Sequence, residues 1–135
     1  MFVYARRVQF YETDAQGIVH HSNYFRYFEE ARGELLRSLG LPYSELRKEG
    51  IEVVLLHADC EFIKPLYYDE EFEVRLYLSH MDRFFFSFGY EIYSGTILKA
   101  KGKTKHAVLS KGKLVSLPSA IVRAITEFFL GPCKR

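Results

Sequence analysis

Residues 11–25 bring together side chains that could act on a carbonyl group. Asp14 lies seven residues before His21, and Gly17 between them allows a backbone turn that a Cβ would obstruct. A helix predicted to begin just after them offers free N–H groups and the positive end of its dipole. These groups would polarise a carbonyl oxygen and stabilise the negative charge that develops on it during acyl transfer. In the alternative interpretation Asp14 only makes a turn, and His20 and His21 are a polar approach to the helix.

The helix that positions these residues is predicted from the spacing of apolar side chains. Between Tyr24 and Leu39 they recur at steps of three and four residues, which is typical of one buried helix face. Ser22 or Asn23 can cap the first turn, because the side-chain oxygen of either residue accepts a backbone N–H. Gly40 marks the end of the helix. The apolar stripe is broad, so we expect other elements to wrap around this helix.

The rest of the chain is predicted to be mainly β-structure, because apolar and polar residues alternate along it. The predicted elements are strands at 3–12, 51–64, 71–78, 84–93 and 97–109, one or two helical turns at 43–49, and a terminal helix at 119–129. Short connections between the later strands suit antiparallel neighbours. This order of elements predicts an α+β fold.

Composition predicts one globular domain over residues 1–135 and excludes several classes of protein. The chain has 48% hydrophobic and 27% charged residues, which is not the composition of a disordered protein. A net charge of +2 gives no support for nucleic-acid binding. No apolar run reaches the ~20 residues of an integral membrane segment, and the N-terminus does not resemble a signal peptide. We therefore expect a soluble cytoplasmic protein whose two cysteines, Cys60 and Cys133, are thiols.

The string Tyr-Glu-Thr-Asp-Ala-Gln-Gly-Ile-Val-His-His-Ser-Asn-Tyr-Phe at residues 11–25 resembles the signature of hotdog-fold acyl-CoA thioesterases. The string Phe-Glu-Glu-Ala-Arg follows at residues 28–32. The similarity is greatest to the group that contains 4-hydroxybenzoyl-CoA thioesterase and YbgC. Residues 51–66 and 117–122 also match the layout of that group, so the resemblance extends over most of the chain.

This resemblance implies a hotdog fold, in which a curved antiparallel sheet wraps around a long central helix. It also implies a homodimer whose two sheets join, with active sites at the subunit interface and often a second pairing into a homotetramer. The acid of the family motif falls on Asp14, and the histidine of the YbgC branch falls on His21. The 4-hydroxybenzoyl branch lacks that histidine, so His21 favours the YbgC branch. His20 stands where many members carry an aromatic residue.

These positions suggest how an acyl-CoA thioester would be hydrolysed to a free acid and a thiol. We expect the thioester oxygen near the backbone N–H groups of Ser22, Asn23 or Tyr24. Asp14 would act as nucleophile or as general base. An unperturbed aspartate has a pKa of ~3.9, which suits direct attack, whereas general-base action requires a raised pKa. His21 could orient Asp14, hydrogen-bond the thioester or assist the leaving group.

Further residues are candidates for holding the substrate. We expect the acyl group to be bound near Tyr11, Gly17, Ile18 and Val19.

Basic residues could hold the phosphates of coenzyme A. The candidates are Arg83, Lys101, Lys103 and Lys111. Lys101 and Lys103 belong to a ladder of four lysines that begins at Lys99 and ends at Lys105. The alternative for this ladder is a solvated sheet face paired with glutamates 71 and 73 of another strand.

We expect neither a cofactor nor a metal. His57, Asp59 and Glu61 share one strand face, but Cys60 points to the other face and the spacing is poor for a metal site. An acyl carrier protein thioester is an alternative to the CoA thioester. Two other functions stay open: a dehydratase of hydroxyacyl thioesters, and a module that binds acyl thioesters or acyl carrier protein without turnover.

Overall fold

The computed structural model describes residues 1–131. The helices are α1 (Ser22–Ser38), α2 (Tyr43–Lys48) and α3 (Ser119–Leu130). The strands are β1 (Phe2–Arg7), β2 (Ile51–Phe62), β3 (Glu71–Met81), β4 (Phe85–Ser94), β5 (Ile97–Ser110) and β6 (Lys113–Val115). The prediction that Cys133 is a thiol falls outside the described residues.

The six strands form one antiparallel sheet in the order β1-β3-β4-β5-β2, with short β6 added beside β5. β1 and β2 are therefore the terminal strands of the main path, and β2 presents a twelve-residue edge. Alternate side chains of β3, β4 and β5 point into a core that α1 fills. The predicted α+β fold, with a long helix against an antiparallel sheet, is confirmed.

Helix α1 is buried along the stripe that its apolar spacing predicts. Tyr27, Phe28, Ala31 and Leu35 are fully buried, and the Phe28 ring stacks on that of Tyr90 with centroids 4.3 Å apart. Helix α1 lies so close to the sheet that a side chain at position 102 of β5 would not fit between them. A Cβ on Gly102 would stand 2.6 Å from the Phe28 ring and 2.5 Å from a backbone oxygen of β2.

Two local predictions were wrong. The first strand ends at Arg7 rather than extending to residue 12, because residues 10–12 turn into a short 3-10 helix. The extra strand β6 was not predicted, since three residues are too few to show an alternating pattern.

Cys60 on β2 is a free thiol, as predicted. Burial raises its pKa to about 12, so it is protonated at neutral pH. No helix within residues 1–131 is both long enough and apolar enough to span a bilayer.

Candidate active site

A buried carboxylate fixes the segment that leads into α1. Glu12 is only 3% exposed, and its carboxylate accepts three hydrogen bonds. The donors are Arg6 Nη2 at 2.6 Å, the Tyr27 hydroxyl at 2.9 Å and the Gln9 backbone N–H at 2.8 Å. Arg6 also lies over the Tyr27 ring, 4.7 Å from its centroid. Glu12 is therefore a structural acid that ties β1 to α1.

The backbone of Glu12 closes the base of the hairpin loop, which is defined as residues 13–20. Its carbonyl oxygen accepts hydrogen bonds from the His20 backbone N–H and from Asn23 Nδ2, each at 2.9 Å. Asn23 is buried, so its side chain serves the loop and does not face a ligand. Hydrogen bonds within the chain thus hold both ends of the loop.

Within the hairpin loop, a tight turn places Asp14 at the surface. The Asp14 N–H donates to Ile18 O at 2.9 Å, and the Gly17 N–H donates to Asp14 O at 3.0 Å. Gly17 has φ +80°, a left-handed conformation that side chains disfavour, and this explains the glycine. One Asp14 carboxylate oxygen accepts the Gln16 N–H at 2.8 Å. The other oxygen has no hydrogen-bond partner within residues 1–131 and is available for chemistry.

Asp14 and His21 border a common cavity at the N-terminus of α1, which we call the Asp14 cavity. Its volume is about 350 Å³. The lining residues are Asp14, Ile18, Val19, His21, Tyr24, Phe62, Ile63, Lys64 and Pro65. One carboxylate, one imidazole and one ammonium group thus face a cavity with mainly apolar and aromatic walls. Burial raises the pKa of Tyr24 to about 12, so that hydroxyl stays protonated at neutral pH.

The three backbone N–H groups predicted to hold the thioester oxygen have acceptors within the fold. The Ser22 N–H donates to the His20 ring at 3.2 Å, and the N–H groups of Asn23 and Tyr24 donate to the carbonyl oxygens of His20 and His21. All three predicted donors therefore already have acceptors, because the helix begins with a tight turn. The His21 N–H has no acceptor in the described part of the chain, and it is the free donor at this helix end.

The two neighbouring histidines have different surroundings. The His20 ring is 2.8 Å from Ser22 Oγ, and it lies against the His21 ring at a centroid distance of 4.1 Å. The His21 imidazole makes no hydrogen bond to residues 1–131 and lines the Asp14 cavity. His20 instead lines a neighbouring depression of about 510 Å³. Asp14 thus shares one cavity with His21 and the neighbouring depression with His20.

The predicted acyl-binding residues divide between these two cavities. Ile18 and Val19 line the Asp14 cavity. Gly17 provides the turn but no wall, and Tyr11 is 81% exposed and lines the neighbouring depression. Tyr11 is therefore separated from Ile18 and Val19, although Asp14 borders both cavities.

Sequence reasoning missed the opposite wall, which consists of Phe62, Ile63, Lys64 and Pro65. This segment is brought to the hairpin loop by backbone pairing, since the Val19 N–H donates to Leu66 O at 2.9 Å. Nothing in the local sequence pattern indicates that approach.

The four candidates for binding CoA phosphates do not line the Asp14 cavity. Arg83 lies in the β3–β4 turn and Lys111 in the β5–β6 turn. Lys101 and Lys103 lie side by side on β5 at the outer face of the sheet, where they line a depression of about 220 Å³ with Asp59 and Glu61. The structure thus brings two of the four together, away from Asp14.

The prediction of the lysine ladder was wrong in two details. Glutamates 71 and 73 pair with β1, so the acids beside Lys101 are instead Glu61 on β2 and Glu91 on β4. Lys99 is buried: its ammonium donates to Pro65 O at 2.9 Å and lies 3.1 Å from Glu70. A shift in the β4–β5 register next to Lys99 adds a residue to β5 and turns this lysine out of the ladder.

His57 and Asp59 bind each other through a 2.9 Å contact. Within residues 1–131 no group of three or more His, Cys, Asp or Glu side chains is arranged to hold a metal ion.

Comparison with known proteins identifies the family. The family model described as the Thioesterase-like superfamily matches residues 8–125. A crystal structure of a hypothetical protein from Aquifex aeolicus is 59% identical, covers 93% of this chain and 99% of that chain, and superposes with a TM-score of 0.91. A 1,4-dihydroxy-2-naphthoyl-CoA hydrolase of Thermosynechococcus vestitus is 32% identical over 78% of this chain and 74% of its own length.

The acyl-CoA thioester hydrolase YbgC of Escherichia coli O6:H1 is 30% identical over 60% of each chain. The resemblance seen in the hairpin-loop motif is therefore confirmed over nearly all of the fold. The chain belongs to the Thioesterase-like superfamily and has its hotdog fold.

Proposed function

We propose that this chain is an acyl-CoA thioester hydrolase that releases a free acid and the CoA thiol. One observation carries the proposal: a carboxylate oxygen of Asp14 and the backbone N–H of His21, both without partners in the described chain, border one cavity at a helix N-terminus. Family membership and the names of the two relatives, which both act on CoA thioesters, support the same reaction.

In the proposed complex the thioester oxygen accepts the His21 N–H. The positive end of the α1 dipole strengthens this contact as negative charge develops on the oxygen. The apolar walls of the Asp14 cavity exclude water, and they strengthen the electrostatic contact further. The acyl carbon then lies between this donor and Asp14.

Asp14 has two possible roles at that carbon. As a nucleophile, its free oxygen forms a bond to the acyl carbon while the C–S bond breaks, and the thiolate takes a proton from water or from protonated His21. Water then hydrolyses the resulting anhydride, which releases the acid and regenerates Asp14. As a general base, Asp14 instead accepts a proton from a water molecule that attacks the carbon directly; the C–S bond then breaks, and the thiolate takes a proton from Asp14 or from water.

We further propose that the working form is a homodimer, and that pairs of dimers form a tetramer. Within residues 1–131 the outer edge of β2 has no neighbouring strand, and exposed apolar residues line it and the segment that follows: Leu55, Leu56, Phe62 and Ile63. A second copy that pairs along β2 would cover both the free backbone groups and this apolar surface. The cytoplasmic location stays a prediction from the sequence.

The test is a thiol-release assay over short, long and aromatic acyl-CoAs. Asp14→Asn keeps the size of the side chain but removes its charge, so we expect kcat to fall by at least ~10³-fold. Asp59→Asn, an exposed acid on β2, is the matched control and is expected to retain full activity. Near-normal turnover by folded Asp14→Asn would refute the assignment.

Two further readouts complete the test. ¹⁸O from labelled water that enters the Asp14 carboxylate during turnover would identify the anhydride route. Formation of an enoyl thioester without thiol would instead indicate a dehydratase.

A further inference from the structure

Lys99 on β5 is a buried lysine whose ammonium group is bound to the segment between β2 and β3. The residue is only 6% exposed. Its Nζ donates to Pro65 O at 2.9 Å and lies 3.1 Å from a carboxylate oxygen of Glu70. Lysine is rarely buried to this extent unless it is paired, and a buried ion pair adds little net stability. The contact with Pro65 is therefore of more interest than the charge pair itself.

The backbone of Lys99 holds the same segment. The N–H groups of Ile63 and Lys64 both donate to Lys99 O, each at 2.9 Å. The ladder between β2 and β5 ends one residue earlier, where Phe62 pairs with Ala100. Lys99 thus supplies a backbone acceptor to two residues and a side-chain donor to the third. These three residues, with Phe62, are the opposite wall of the Asp14 cavity.

The register shift between β4 and β5 gives Lys99 this position. Ala100 pairs with Ile92 and Leu98 pairs with Tyr93, so Lys99 is the extra residue that has no partner on β4. Such an extra residue redirects its side chain relative to the regular alternation of a strand. Lys101, two residues later, is exposed, whereas the Lys99 side chain lies under the opposite wall.

The opposite wall and the Asp14 carboxylate are held by different groups. Asp14 belongs to the hairpin loop, which is closed at its base by the backbone of Glu12. The wall is held from the sheet by Lys99, and it meets the hairpin loop only where the chain continues, at Leu66 and Tyr67. A change at Lys99 can therefore move the wall while Asp14 stays in place.

We propose that Lys99 is a positioning residue that fixes the opposite wall of the Asp14 cavity and thereby sets the length of the acyl chain that the site prefers. This inference rests on the proposed thioesterase function. The apolar side chains of Phe62, Ile63 and Pro65 contact the acyl chain. A methylene gains from such a wall only at van der Waals distance, and a gap of about 0.5–1 Å already loses a quarter to a half of the attraction. The Lys99 contact with Pro65 O keeps that distance fixed.

The proposal is tested by thiol release from straight-chain acyl-CoAs of increasing length, starting with acetyl-CoA. In the natural sequence we expect kcat/KM to rise about fourfold for each added methylene until the cavity is full, as for a methylene buried among apolar groups. Lys99→Met keeps the apolar stem but removes the ammonium group. It should reduce this increment to less than about twofold. The kcat for acetyl-CoA, whose acyl group is too short to fill the cavity, should change less than about threefold.

Two controls separate positioning from a loss of stability. Glu70→Gln removes the ion pair but leaves the Lys99 ammonium able to donate to Pro65 O, so it should lower the unfolding temperature yet keep most of the increment. Lys105→Met replaces an exposed lysine of the same strand and should keep all of it. An increment that falls equally in Glu70→Gln and Lys99→Met would indicate general loosening and overturn the proposal.

Conservative variants keep the test decisive. Lys99→Arg retains a charged donor for Pro65 O and Glu70, so it should restore at least about half of the lost increment. If Lys99→Met fails to fold, Lys99→Gln takes its place, because it is uncharged and shorter and should also reduce the increment. A folded Lys99→Met or Lys99→Gln with the natural increment overturns the proposal.

Hydrogen exchange, measured by NMR without substrate, separates this proposal from the proposed function. In Lys99→Met the amides of Ile63 and Lys64 should exchange at least about tenfold faster, whereas the His20 amide, which donates to Glu12 O, should be unchanged. If the natural sequence releases no thiol from any acyl-CoA, the proposed function fails whatever the exchange rates are. If hydrolysis is normal but Lys99→Met leaves the two wall amides unchanged, only the role of Lys99 fails.

Discussion

Two buried charged groups, one just before α1 and one within it, differ in their hydrogen-bond partners. Glu12, before the helix, has Arg6, Tyr27 and a backbone N–H as partners, all from within the chain. Arg32, in the second half of α1, has the hydroxyl groups of Tyr90 and Tyr43 as neighbours and an unpaired Nε. Both groups are more than nine-tenths buried, so exposure to water does not explain the difference.

The difference decides how each charge affects the fold. A carboxylate whose hydrogen bonds are complete within one chain stabilises the fold and has little left to offer a ligand. Arg32 lacks a carboxylate partner in the described chain, and its Nε is buried without an acceptor, which costs stability. The hairpin loop shows the same principle at close range, since Glu12 is fully bonded and Asp14, two residues later, has a free oxygen.

Loss of the Glu12 charge should give the largest change in stability. Glu12→Gln leaves a neutral amide at a buried position, and Arg6 then keeps only Glu30 as a carboxylate partner, so we expect a loss of about 1–3 kcal/mol of unfolding free energy. Asp14→Asn, at an exposed position, should stay within about 0.5 kcal/mol of the original protein. Urea unfolding of the two variants measures both values. Equal stability of the two would contradict the contrast between a structural and a catalytic acid.

Acidification should weaken the buried hydrogen-bond network behind Arg32, in which Arg32 donates to the Tyr90 hydroxyl and both Tyr90 and His106 contact Thr104 Oγ1. Burial, together with the Arg32 charge, lowers the pKa of His106 to about 3. An unfolded histidine takes up a proton near pH 6.5, so between pH 6.5 and 3 the unfolded state binds more protons and stability falls as the pH falls. The contribution is at most about 1.4 kcal/mol for each pH unit in that window. His106→Gln should remove this part of the pH dependence, as measured by urea unfolding at pH 7.5 and about pH 5. A variant with an unchanged slope would assign the pH dependence to other groups.

A smaller effect is expected in the hairpin loop. Gly17→Ala meets no atom within 4 Å, so its cost comes from the left-handed backbone alone and should be about 1–2 kcal/mol. Gly17→Asn is the control, because asparagine tolerates this conformation better and should cost less. Chemical denaturation ranks the two variants. If alanine and asparagine were equally stable, φ at this position would not limit the choice of residue.

The sequence predicted those parts of the fold that local periodicity controls. The stripe of α1 and the alternation in β3 to β5 each depend on residues close together in the chain, and the structure agrees with them. The Asp14 position was marked by a compact motif, but its surroundings were not. The wall at Phe62 and the Arg6 partner of Glu12 come from other segments through tertiary contacts. Arg32 belongs to the second string of the family resemblance, but its burial was not predicted, because an arginine on a helix is normally solvated.

The smallest effect, a change in KM for an acyl-CoA, is expected at Lys101 and Lys103 on the outer face of the sheet. Lys64 should behave differently. Lys101 lies opposite an acid on both β2 and β4, and Lys103 lies opposite an acid on β2 alone. The charge of each lysine is therefore already partly balanced. Lys64 lines the Asp14 cavity. Lys64→Gln should therefore raise the KM for an acyl-CoA severalfold, whereas Lys101→Gln with Lys103→Gln should change it less than about twofold.

Steady-state kinetics at low and high salt measure both effects on KM. A larger rise in KM for the double variant would move the CoA phosphates to the outer face of the sheet, as one sequence interpretation suggested. The contrast between paired and open charges predicts the opposite, because a cation with acidic neighbours directly across a strand pairing gains less from a phosphate than one that lines a cavity with mainly apolar and aromatic walls.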